Sequence, residues 1–294
     1  MQLISVRTST GETLGVADSD RWLAAADLVS DGPSTMSALI DAGGAAVAAL
    51  RSAQAIADVG RRGRPLDMAD RLAPLSRPGK IVAIGRNYRD HTTEEGVKPP
   101  PAPLVFAKWP SSVVGPGVEV CWDPDLTRQV DYEAELAVVI GRTARNVAVA
   151  DALGHVFGYT CLNDVSARDL QAGDGQWVRA KSLDTFCPMG PAIITADEIE
   201  DPQDLAIRCF VGDERLQDDR TSSMFFSVAE IISFCSRSFT LEPGDVIATG
   251  TPGGVGAFRD PPRFLRDGDR MTVDIERIGR LENTCRFLSA EAVA

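Results

Sequence analysis

The segment from residue 131 to residue 140 constrains the fold more than any other part of this chain, because alternating acidic residues lead straight into an apolar stretch. Residues 136–140 are apolar and partly β-branched, a pattern typical of a buried strand. Side chains alternate between the two faces of a strand, so Asp131, Glu133 and Glu135 are expected to point the same way. Carboxylates crowded beside a hydrophobic strand are costly unless a positive charge lies among them, and the segment contains no Lys or Arg.

A divalent cation is one partner that would neutralise these carboxylates. An all-oxygen ligand set suits a hard ion such as Mg²⁺, Mn²⁺ or Ca²⁺. The alternative is a solvated acidic strand end whose alternation is coincidental. The pattern alone leaves both interpretations open.

The composition narrows the class of protein. With 294 residues, 44% of them hydrophobic and 24% charged, the chain is long enough for one large domain or two unequal ones. Its formal net charge of −12 argues against binding to nucleic acid or to an anionic membrane surface. No apolar run approaches the ~20 residues that span a bilayer, and residues 1–7 lack a signal-peptide core. The six cysteines lie far apart in mostly apolar surroundings, which predicts reduced packing residues in a cytoplasmic protein.

Two regions are predicted, a small N-terminal domain over residues 1–75 and a larger domain over residues 76–294. The first region is expected to contain a hairpin, a helix with Ser34 as its N-cap, and a connecting segment. The hairpin is placed at residues 2–8 and 13–16, the helix begins at about residue 34, and the connecting segment lies at residues 61–65.

The second region is rich in predicted strands. They lie at residues 81–84, 104–107, 136–140, 156–162, 192–195, 205–211, 246–249 and 271–275. A capping box formed by Ser227 and Glu230 opens its clearest helix. Strands greatly outnumber helices, so the predicted class is a mixed α/β, mainly β fold rather than a doubly wound sheet.

The chain has two histidines, so each can be judged individually. His91 precedes Glu94 by three residues; if this turn is helical, the two share a face and can form a hydrogen-bonded base and its orienting carboxylate. A surface histidine in a charged loop is the alternative, and the spacing alone favours it. The polar segment 89–96 has little to bury and is expected to act as a mobile lid. His155 is interpreted as a structural residue at a strand start.

Four further residues are candidates for the site, and two of them, Asp164 and Lys181, have two interpretations each. Asp164 follows a predicted strand and would supply a third carboxylate to a metal, or it would act as a plain N-cap. Arg168 and Gln171 would then share one face of a helical turn and offer donors to an anion. Lys181 lies among apolar residues and is either a snorkelling surface lysine or a ligand contact.

The glycine-rich loop at residues 249–256 follows a predicted strand. Its glycines allow backbone N–H groups to approach a ligand closely. The loop lacks the Gly-Lys-Ser/Thr sequence of a nucleotide-phosphate loop, which argues against ATP or GTP binding. No Gly-x-Ser-x-Gly nucleophile is present, and no cysteine has a histidine neighbour in the sequence.

Taken in order, these pieces resemble the fumarylacetoacetate hydrolase family. The resemblance covers residues 78–288 and rests on five motifs in register, at residues 85–91, 131–140, 163–171, 180–185 and 241–256. Residues 1–75 look like the variable N-terminal domain of two-domain bacterial members.

The resemblance implies a β-rich catalytic fold and a homodimer. It also implies a Mg²⁺ or Mn²⁺ ion held by a Glu-x-Glu pair and a later Asp. Ca²⁺ is an alternative ion for these ligands. The residues at the matching positions are Glu133, Glu135 and Asp164 for the metal, His91 and Glu94 for a catalytic dyad, Lys181 for a catalytic contact, and Arg168, Gln171 and Thr251 for substrate binding. Trp109 stands where many relatives carry proline, and it is expected to reshape the edge of the pocket.

The resemblance also implies a reaction. The leading expectation is metal-dependent cleavage of a C–C bond in a 2-oxo or diketo acid, such as an acylpyruvate or fumarylpyruvate, through a metal-stabilised enolate. Alternatives are an oxaloacetate decarboxylase or an isomerase and decarboxylase of the 2-hydroxyhepta-2,4-diene-1,7-dioate type. A further alternative is a non-catalytic protein that binds small molecules on the same fold.

Overall fold

The computed structural model describes residues 1–9, 11–18, 20–67 and 70–288. The N-terminal part consists of β1 (Gln2–Thr8), β2 (Gly11–Asp18), β3 (Arg21–Ala24), α1 (Ala25–Leu28), α2 (Met36–Ala57), α3 (Val59–Arg62), β4 (Arg64–Pro65) and β5 (Arg71–Leu72). The remainder consists of β6 (Ile81–Gly85), α4 (Arg89–Glu94), β7 (Leu104–Lys108), β8 (Val113–Val114), β9 (Val120–Trp122), β10 (Val130–Asp131), β11 (Ala134–Ile140), β12 (Val156–Asn163), β13 (Ser166–Ala167), α5 (Arg168–Asp174), β14 (Cys187–Thr195), β15 (Ala206–Val211), β16 (Glu214–Arg220), α6 (Val228–Ser238), β17 (Val246–Ala248), β18 (Arg270–Ile275) and β19 (Gly279–Phe287). The predicted mainly β class is confirmed.

A large mixed sheet and a smaller sheet pack together. The main path of the large sheet runs β4-β3-β2-β1-β14-β12-β11-β17-β6-β7, with β5 paired to β1 and β8 paired to β14. The second sheet has the order β16-β15-β18-β19-β9. Strands β10 and β13 form a separate two-stranded sheet. No helix within the described ranges is long and apolar enough to cross a bilayer.

Strand β11 is an interior strand of the large sheet and is buried on both faces, as its apolar run predicts. Leu136 and Val138 join one apolar core with residues of β15, β18, β19 and α6. Ala137 and Val139, on the other face, join a second core with Leu3 and other N-terminal residues. Because side chains alternate between the two faces of a strand, β11 contributes to both apolar cores.

The pairing of β11 gathers chain segments at one end of the sheet. Ala134 pairs with Asn163 at the end of β12, and Ala137 pairs with Ala248 at the end of β17. Strand β6 runs parallel to β17, so its end at Gly85 lies at the same edge. The loops that leave β12, β17 and β6 consequently meet beside the start of β11.

The N-terminal hairpin is confirmed, since β1 and β2 pair along their length. The helix begins later than predicted: its N-cap is Thr35, whose side chain accepts a hydrogen bond from the Ala38 N–H at 3.2 Å, and not Ser34. Helix α2 is interrupted at Gly43, where φ is 74°. Residues 61–65, predicted as a connector, form the end of α3 and strand β4, because Arg64 pairs with β3 and lies over the Trp22 ring.

The N-terminal elements share a sheet and a core with the rest of the chain. Strand β1 pairs with β14 through Leu3 and Ile193, and the terminal amine of Met1 forms an ion pair with Glu198 at 2.8 Å. The domain boundary at residue 75 stays a prediction, and any boundary there crosses a continuous sheet.

All eight strands predicted in the second region are confirmed, but several others were missed. Strand β16 has the sequence ERLQDDR and buries only Leu216 and Gln217, so it shows no apolar alternation. Strand β19 places polar residues at most positions. The six cysteines are all free, and only Cys121 among them is not fully buried.

The capping box of α6 gives a test of local stability. The Ser227 hydroxyl accepts a hydrogen bond from the Glu230 N–H, and the Glu230 carboxylate accepts one from the Ser227 N–H. We expect Ser227→Ala to lower the free energy of unfolding by about 1 kcal/mol, measured by urea denaturation. Ser238→Ala, at the exposed last residue of the same helix, is the control and should have little effect. Equal losses in both variants would contradict the capping role.

Candidate metal centre and substrate cavity

Three predicted ligands converge beside the start of β11. Glu133, Glu135 and Asp164 are buried, and one ligand atom from each lies within 4.8 Å of the others. Glu133 and Glu135 flank the first residue of β11, and Asp164 directly follows β12. The N-cap interpretation of Asp164 is wrong, because α5 begins only at Arg168 with Ala167 as its N-cap.

Asp131 does not join this cluster, although strand alternation places it on the same face. Strand β10 ends at Asp131, and β11 begins only at Ala134, so the strand is interrupted between them. The Asp131 carboxylate accepts hydrogen bonds from the N–H groups of Gly256 and Ala257 at 2.8 and 2.9 Å. It also accepts one from Arg168 Nε at 2.9 Å, so its charge is already compensated.

Positive charges reach the cluster from other parts of the fold. Lys181 Nζ donates to Glu133 at 2.7 Å and to Asp164 at 2.8 Å. Arg168 Nη2 lies 2.7 Å from Glu133, and Lys108 Nζ lies 2.7 Å from the other oxygen of Asp164. The segment 131–140 contains no cation, and the sequence did not predict that its acids pair with these distant residues.

Lys181 is a buried cation. Only 2% of its surface is exposed, so the snorkelling interpretation is wrong. Burial acts to lower the pKa of Lys181, but Asp164 and Glu133 outweigh it and raise that pKa. Lys181 therefore holds its proton and acts as a fixed positive charge at the carboxylate cluster.

Glu135 differs from the other two acids because it forms no ion pair within the described part of the chain. Its hydrogen-bond donor is the N–H of Gly250, at 2.8 Å from Oε2. Burial, followed by the charges of Asp164 and Glu133, raises the pKa of Glu135 well above its usual range. Burial also acts to raise the pKa of Glu133, but there Lys181 and Arg168 prevail and lower it to about 2. Glu135 is therefore the acid of the cluster whose charged form the described residues stabilise least.

The donor set fits a hard divalent cation. All three groups offer carboxylate oxygens, they are close enough to share one ion, and Glu135 lacks a cation of its own. Mg²⁺, Mn²⁺ and Ca²⁺ all prefer such ligands. The solvated-strand-end interpretation is wrong, since all three acids are buried.

His91 and Glu94 form a hydrogen-bonded pair. They lie on α4, and His91 Nδ1 is 2.8 Å from Glu94 Oε1. The other Glu94 oxygen accepts a hydrogen bond from the Gly254 N–H at 2.6 Å, which fixes the carboxylate. His91 is only 7% exposed, so the surface-loop interpretation is wrong, and its Nε2 is the nitrogen not engaged by Glu94. His155 lies away from this pair, with Nδ1 3.3 Å from the Arg142 carbonyl.

The segment 89–96 is not the unanchored loop that its polarity suggests. Helix α4 buries His91 and Thr92, and Arg89 lies over the Phe225 ring at 5.3 Å. Glu95, just after the helix, forms two hydrogen bonds with Arg86. Polar side chains are held here by polar and aromatic partners, which an apolar pattern cannot reveal. The mobility of the segment 89–96 stays a prediction.

The glycine-rich loop positions acids rather than presenting free N–H groups to a ligand. The N–H groups of Gly250, Gly254 and Gly256 donate to Glu135, Glu94 and Asp131, respectively. Glycine is required at residue 250, where φ is 102° and a Cβ would lie 2.7 Å from the Asn87 Cβ. The expectation of direct ligand binding by these amides is therefore corrected.

A cavity of about 310 Å³ opens onto these groups. Its lining includes the predicted residues His91, Glu133, Glu135, Arg168, Gln171, Lys181 and Thr251. Asp164 lies behind the lining and is fully buried. Trp109 is 55% exposed and is not among the lining residues of the described chain, so the expectation that it shapes the pocket edge is wrong.

The predicted substrate contacts are already engaged with neighbouring side chains. Arg168 donates hydrogen bonds from Nε to Asp131 and from Nη1 to the Gln171 amide oxygen, and its Nη2 forms an ion pair with Glu133. The Thr251 hydroxyl accepts a hydrogen bond from Gln217 Nε2 at 2.8 Å and keeps its own hydrogen to donate. Arg168 therefore supports the carboxylates, whereas the Gln171 amide group and the Thr251 hydroxyl retain donors.

Sequence reasoning assigned no role to three residues at the site. Lys108 pairs with Asp164, Gln217 holds Thr251, and Arg86 lines the cavity. A charged residue at the end of the apolar strand β7 was a usable signal for Lys108. Gln217 lies in a strand that the polar pattern concealed, so its position carried no signal.

Comparisons with known proteins agree with this geometry. The family model described as fumarylacetoacetate (FAA) hydrolase C-terminal matches residues 80–286. The chain is similar to a Bos taurus protein named oxaloacetate tautomerase FAHD2B, mitochondrial, with 46% identity over 214 residues, which cover 72% of this chain and 68% of the relative.

Two solved structures have the same fold over nearly the whole chain. A fumarylacetoacetate hydrolase from Exiguobacterium antarcticum has a TM-score of 0.85 and 38% identity, covering 98% of this chain and 100% of that one. A maleylpyruvate hydrolase from Sphingobium, in complex with a manganese (II) ion and pyruvate, has a TM-score of 0.78 and 32% identity at the same coverage. The buried acidic triad and this manganese-bound neighbour together indicate a divalent metal.

The charge balance of the cluster predicts opposite effects for two neighbouring substitutions. Glu135→Gln should stabilise the metal-free protein by about 1–2 kcal/mol, because it removes an unpaired buried carboxylate and keeps an acceptor for Gly250. Glu133→Gln should destabilise it by about 3–5 kcal/mol, because Lys181 and Arg168 lose a partner. Thermal unfolding in EDTA measures both.

The pH and metal dependence complete this test. Because the pKa of Glu135 is raised in the folded state, the unfolded state loses that proton first as pH rises. The gain from Glu135→Gln should therefore grow as pH rises above the usual glutamate range. Mn²⁺ should raise the melting temperature of the unmodified protein but not of Glu135→Gln. A destabilised Glu135→Gln protein, or one that Mn²⁺ still stabilises fully, would contradict this account.

Proposed function

Because this chain belongs to the fumarylacetoacetate hydrolase family, we propose that it is an enzyme that uses Mg²⁺ or Mn²⁺ to interconvert the keto and enol forms of a 2-oxo-dicarboxylate such as oxaloacetate. The observation that carries the proposal is the arrangement of Glu133, Glu135 and Asp164 beside a cavity that also contains His91. A relative with 46% identity is named an oxaloacetate tautomerase, which favours this substrate.

The residues divide the chemistry between them. Glu133, Glu135 and Asp164 would hold the ion, which when bound supplies a Lewis acid that stabilises negative charge on the oxygen of an enolate. Keto–enol exchange removes a proton from carbon 3 of the 2-oxo acid and adds one to the carbonyl oxygen. His91 Nε2 is suited to accept the carbon-bound proton, because Nδ1 is held by Glu94.

The surrounding cations and donors would orient the substrate. Lys181 is a fixed ammonium beside two of the metal ligands, so it can attract the carboxylate next to the keto group. Gln171 and Thr251 retain hydrogen-bond donors toward the cavity. The dyad and the acids opening into one cavity support catalysis over mere binding of a small molecule.

A second candidate is hydrolysis of a C–C bond in an acylpyruvate or fumarylpyruvate. It is favoured by the likeness to a maleylpyruvate hydrolase and by the His91–Glu94 pair, which suits activation of water. Decarboxylation or isomerisation would use the same enolate without an attacking water. All these reactions share the enolate intermediate. They are therefore distinguished by the substrate that the enzyme accepts and by whether His91 accepts a proton from carbon 3 or from water.

We also propose that the enzyme acts as a homodimer. Strand β7, at one edge of the large sheet, exposes 37% of Leu104 and 38% of Val105, and Trp109 follows it. An apolar strand edge of this kind is suited to contact with a second copy.

The two histidines provide a matched test of the mechanism. His91→Ala should lower keto–enol exchange of oxaloacetate by roughly 10²–10⁴-fold, as expected for a lost general base, and should preserve affinity for Mn²⁺. His155→Ala is the control and should leave the rate unchanged. Loss of the enol absorbance in the ultraviolet gives the rate, and calorimetry gives the metal affinity.

The same variants separate the two candidate reactions. Pyruvate release from acetylpyruvate and from fumarylpyruvate tests hydrolysis directly. Full exchange activity in His91→Ala would contradict the assigned proton acceptor. Rapid hydrolysis by the unmodified enzyme without exchange of oxaloacetate would favour the second candidate.

A further inference from the structure

Arg86 enters the cavity from an unusual backbone position. It directly follows β6 with φ of 56°, a left-handed conformation that is unfavourable for residues with a Cβ and is often found at ligand clamps. The preceding Gly85 allows Trp177 to pack against the backbone, because a Cβ there would lie 2.6 Å from Cζ3 of the indole. The guanidinium carbon of Arg86 lies 5.7 Å from the centre of the Trp177 ring. Backbone and indole together direct this side chain into the cavity.

The guanidinium of Arg86 has one edge occupied and one edge available. Nε and Nη2 donate to the two oxygens of Glu95 at 2.8 and 2.7 Å. Nη1 has no partner among the described residues, and the side chain is 32% exposed. A guanidinium has five N–H groups, so three remain for another acceptor. Glu95 thus fixes the plane of the group without using up its donors.

The cavity lining contains two other cationic side chains, and both contact the acidic triad. Lys181 and Arg168 both contact Glu133, and Lys181 also contacts Asp164. Arg86 has no contact with the acidic triad, and its neighbours are Glu95 and Trp177. The cavity lining therefore carries cations in two places, with Lys181 and Arg168 at the acidic triad and Arg86 away from it.

An aromatic wall joins these two places. Lys181 Nζ lies 5.3 Å from the Phe106 ring, and Phe106 packs edge-on against Trp177 with 5.2 Å between ring centres. Trp177 in turn contacts Arg86. A short apolar wall between two cations is complementary to a small molecule with a carboxylate at each end and carbon between them.

We propose that Arg86 binds the distal carboxylate of the substrate through its free edge and makes the enzyme selective for 2-oxo-dicarboxylates over 2-oxo acids with an uncharged distal group. This inference rests on the proposed function, because it assumes that the 2-oxo acid end binds at the metal. Arg86 contributes specificity rather than chemistry, since it contacts neither the dyad nor the acidic triad.

The test compares two substrates with the same 2-oxo acid end. Oxaloacetate carries a distal carboxylate, whereas acetylpyruvate carries an acetyl group in its place. In saturating Mn²⁺, Arg86→Gln should lower kcat/KM for keto–enol exchange of oxaloacetate by roughly 10- to 100-fold, mainly through KM. Exchange of acetylpyruvate should change by less than about threefold. Arg86→Lys keeps the positive charge but not the paired N–H donors of the guanidinium. Its kcat/KM for oxaloacetate should therefore lie between those of the unmodified protein and Arg86→Gln.

Glu95→Gln is the matched control for a purely structural role. It breaks the ion pair that holds Arg86 to the end of α4 but leaves the guanidinium in place. If Arg86 contacts the substrate, this variant should keep or increase the preference for oxaloacetate, because a competing negative charge is gone. If Glu95→Gln and Arg86→Gln instead lower exchange of oxaloacetate and of acetylpyruvate by the same factor, Arg86 only holds the end of α4 in place and the proposal is overturned.

A binding experiment keeps this test independent of turnover. Calorimetry on the Mn²⁺-loaded protein compares 2-oxoglutarate with 2-oxopentanoate, which lacks the distal carboxylate, and oxalate reports the metal end alone. The unmodified protein should prefer 2-oxoglutarate, and Arg86→Gln should abolish that preference without altering oxalate affinity. An unchanged preference in Arg86→Gln overturns the inference, even if oxaloacetate exchange is absent and the proposed function itself has failed.

Discussion

The rest of the site depends on the crowding of three buried carboxylates at the start of β11. Glu133, Glu135 and Asp164 lie within reach of one ion, in a part of the protein where uncompensated charge is costly. Two buried lysines and an arginine offset most of this charge, and each comes from a different element. Glu135 is left without a cation, so the folded chain retains a local demand for positive charge that a divalent ion would meet.

This demand explains why so many backbone and side-chain groups are directed at acids. The loop after β17 supplies N–H groups to Glu135, Glu94 and Asp131, so one glycine-rich segment positions the proposed metal ligand, the acid of the proposed dyad and the acid that supports Arg168. One part of the cavity lining carries Glu133, Glu135 and Lys181, and another carries Arg86 and aromatic rings. The two proposals place the chemistry at the first part and the selectivity at the second.

The sequence predicted the parts of the site that local spacing controls. A two-residue separation placed Glu133 and Glu135 together, and a three-residue separation on a helical turn placed His91 beside Glu94. It named Lys181 as a contact but did not predict its ion pair with Glu133, because the two residues are 48 positions apart and only the completed sheet brings them together. For the same reason strand β16, polar along most of its length, was missed, although its Gln217 supports Thr251.

The most direct test of the central claim is diffraction from crystals grown with Mn²⁺, with data collected at the manganese absorption edge. We expect one anomalous peak within roughly 2.0–2.6 Å of carboxylate oxygens from Glu133, Glu135 and Asp164. Lys181 should remain beside Glu133 in that structure. An anomalous peak elsewhere in the protein, or three acidic side chains that point apart with no peak between them, would contradict the account.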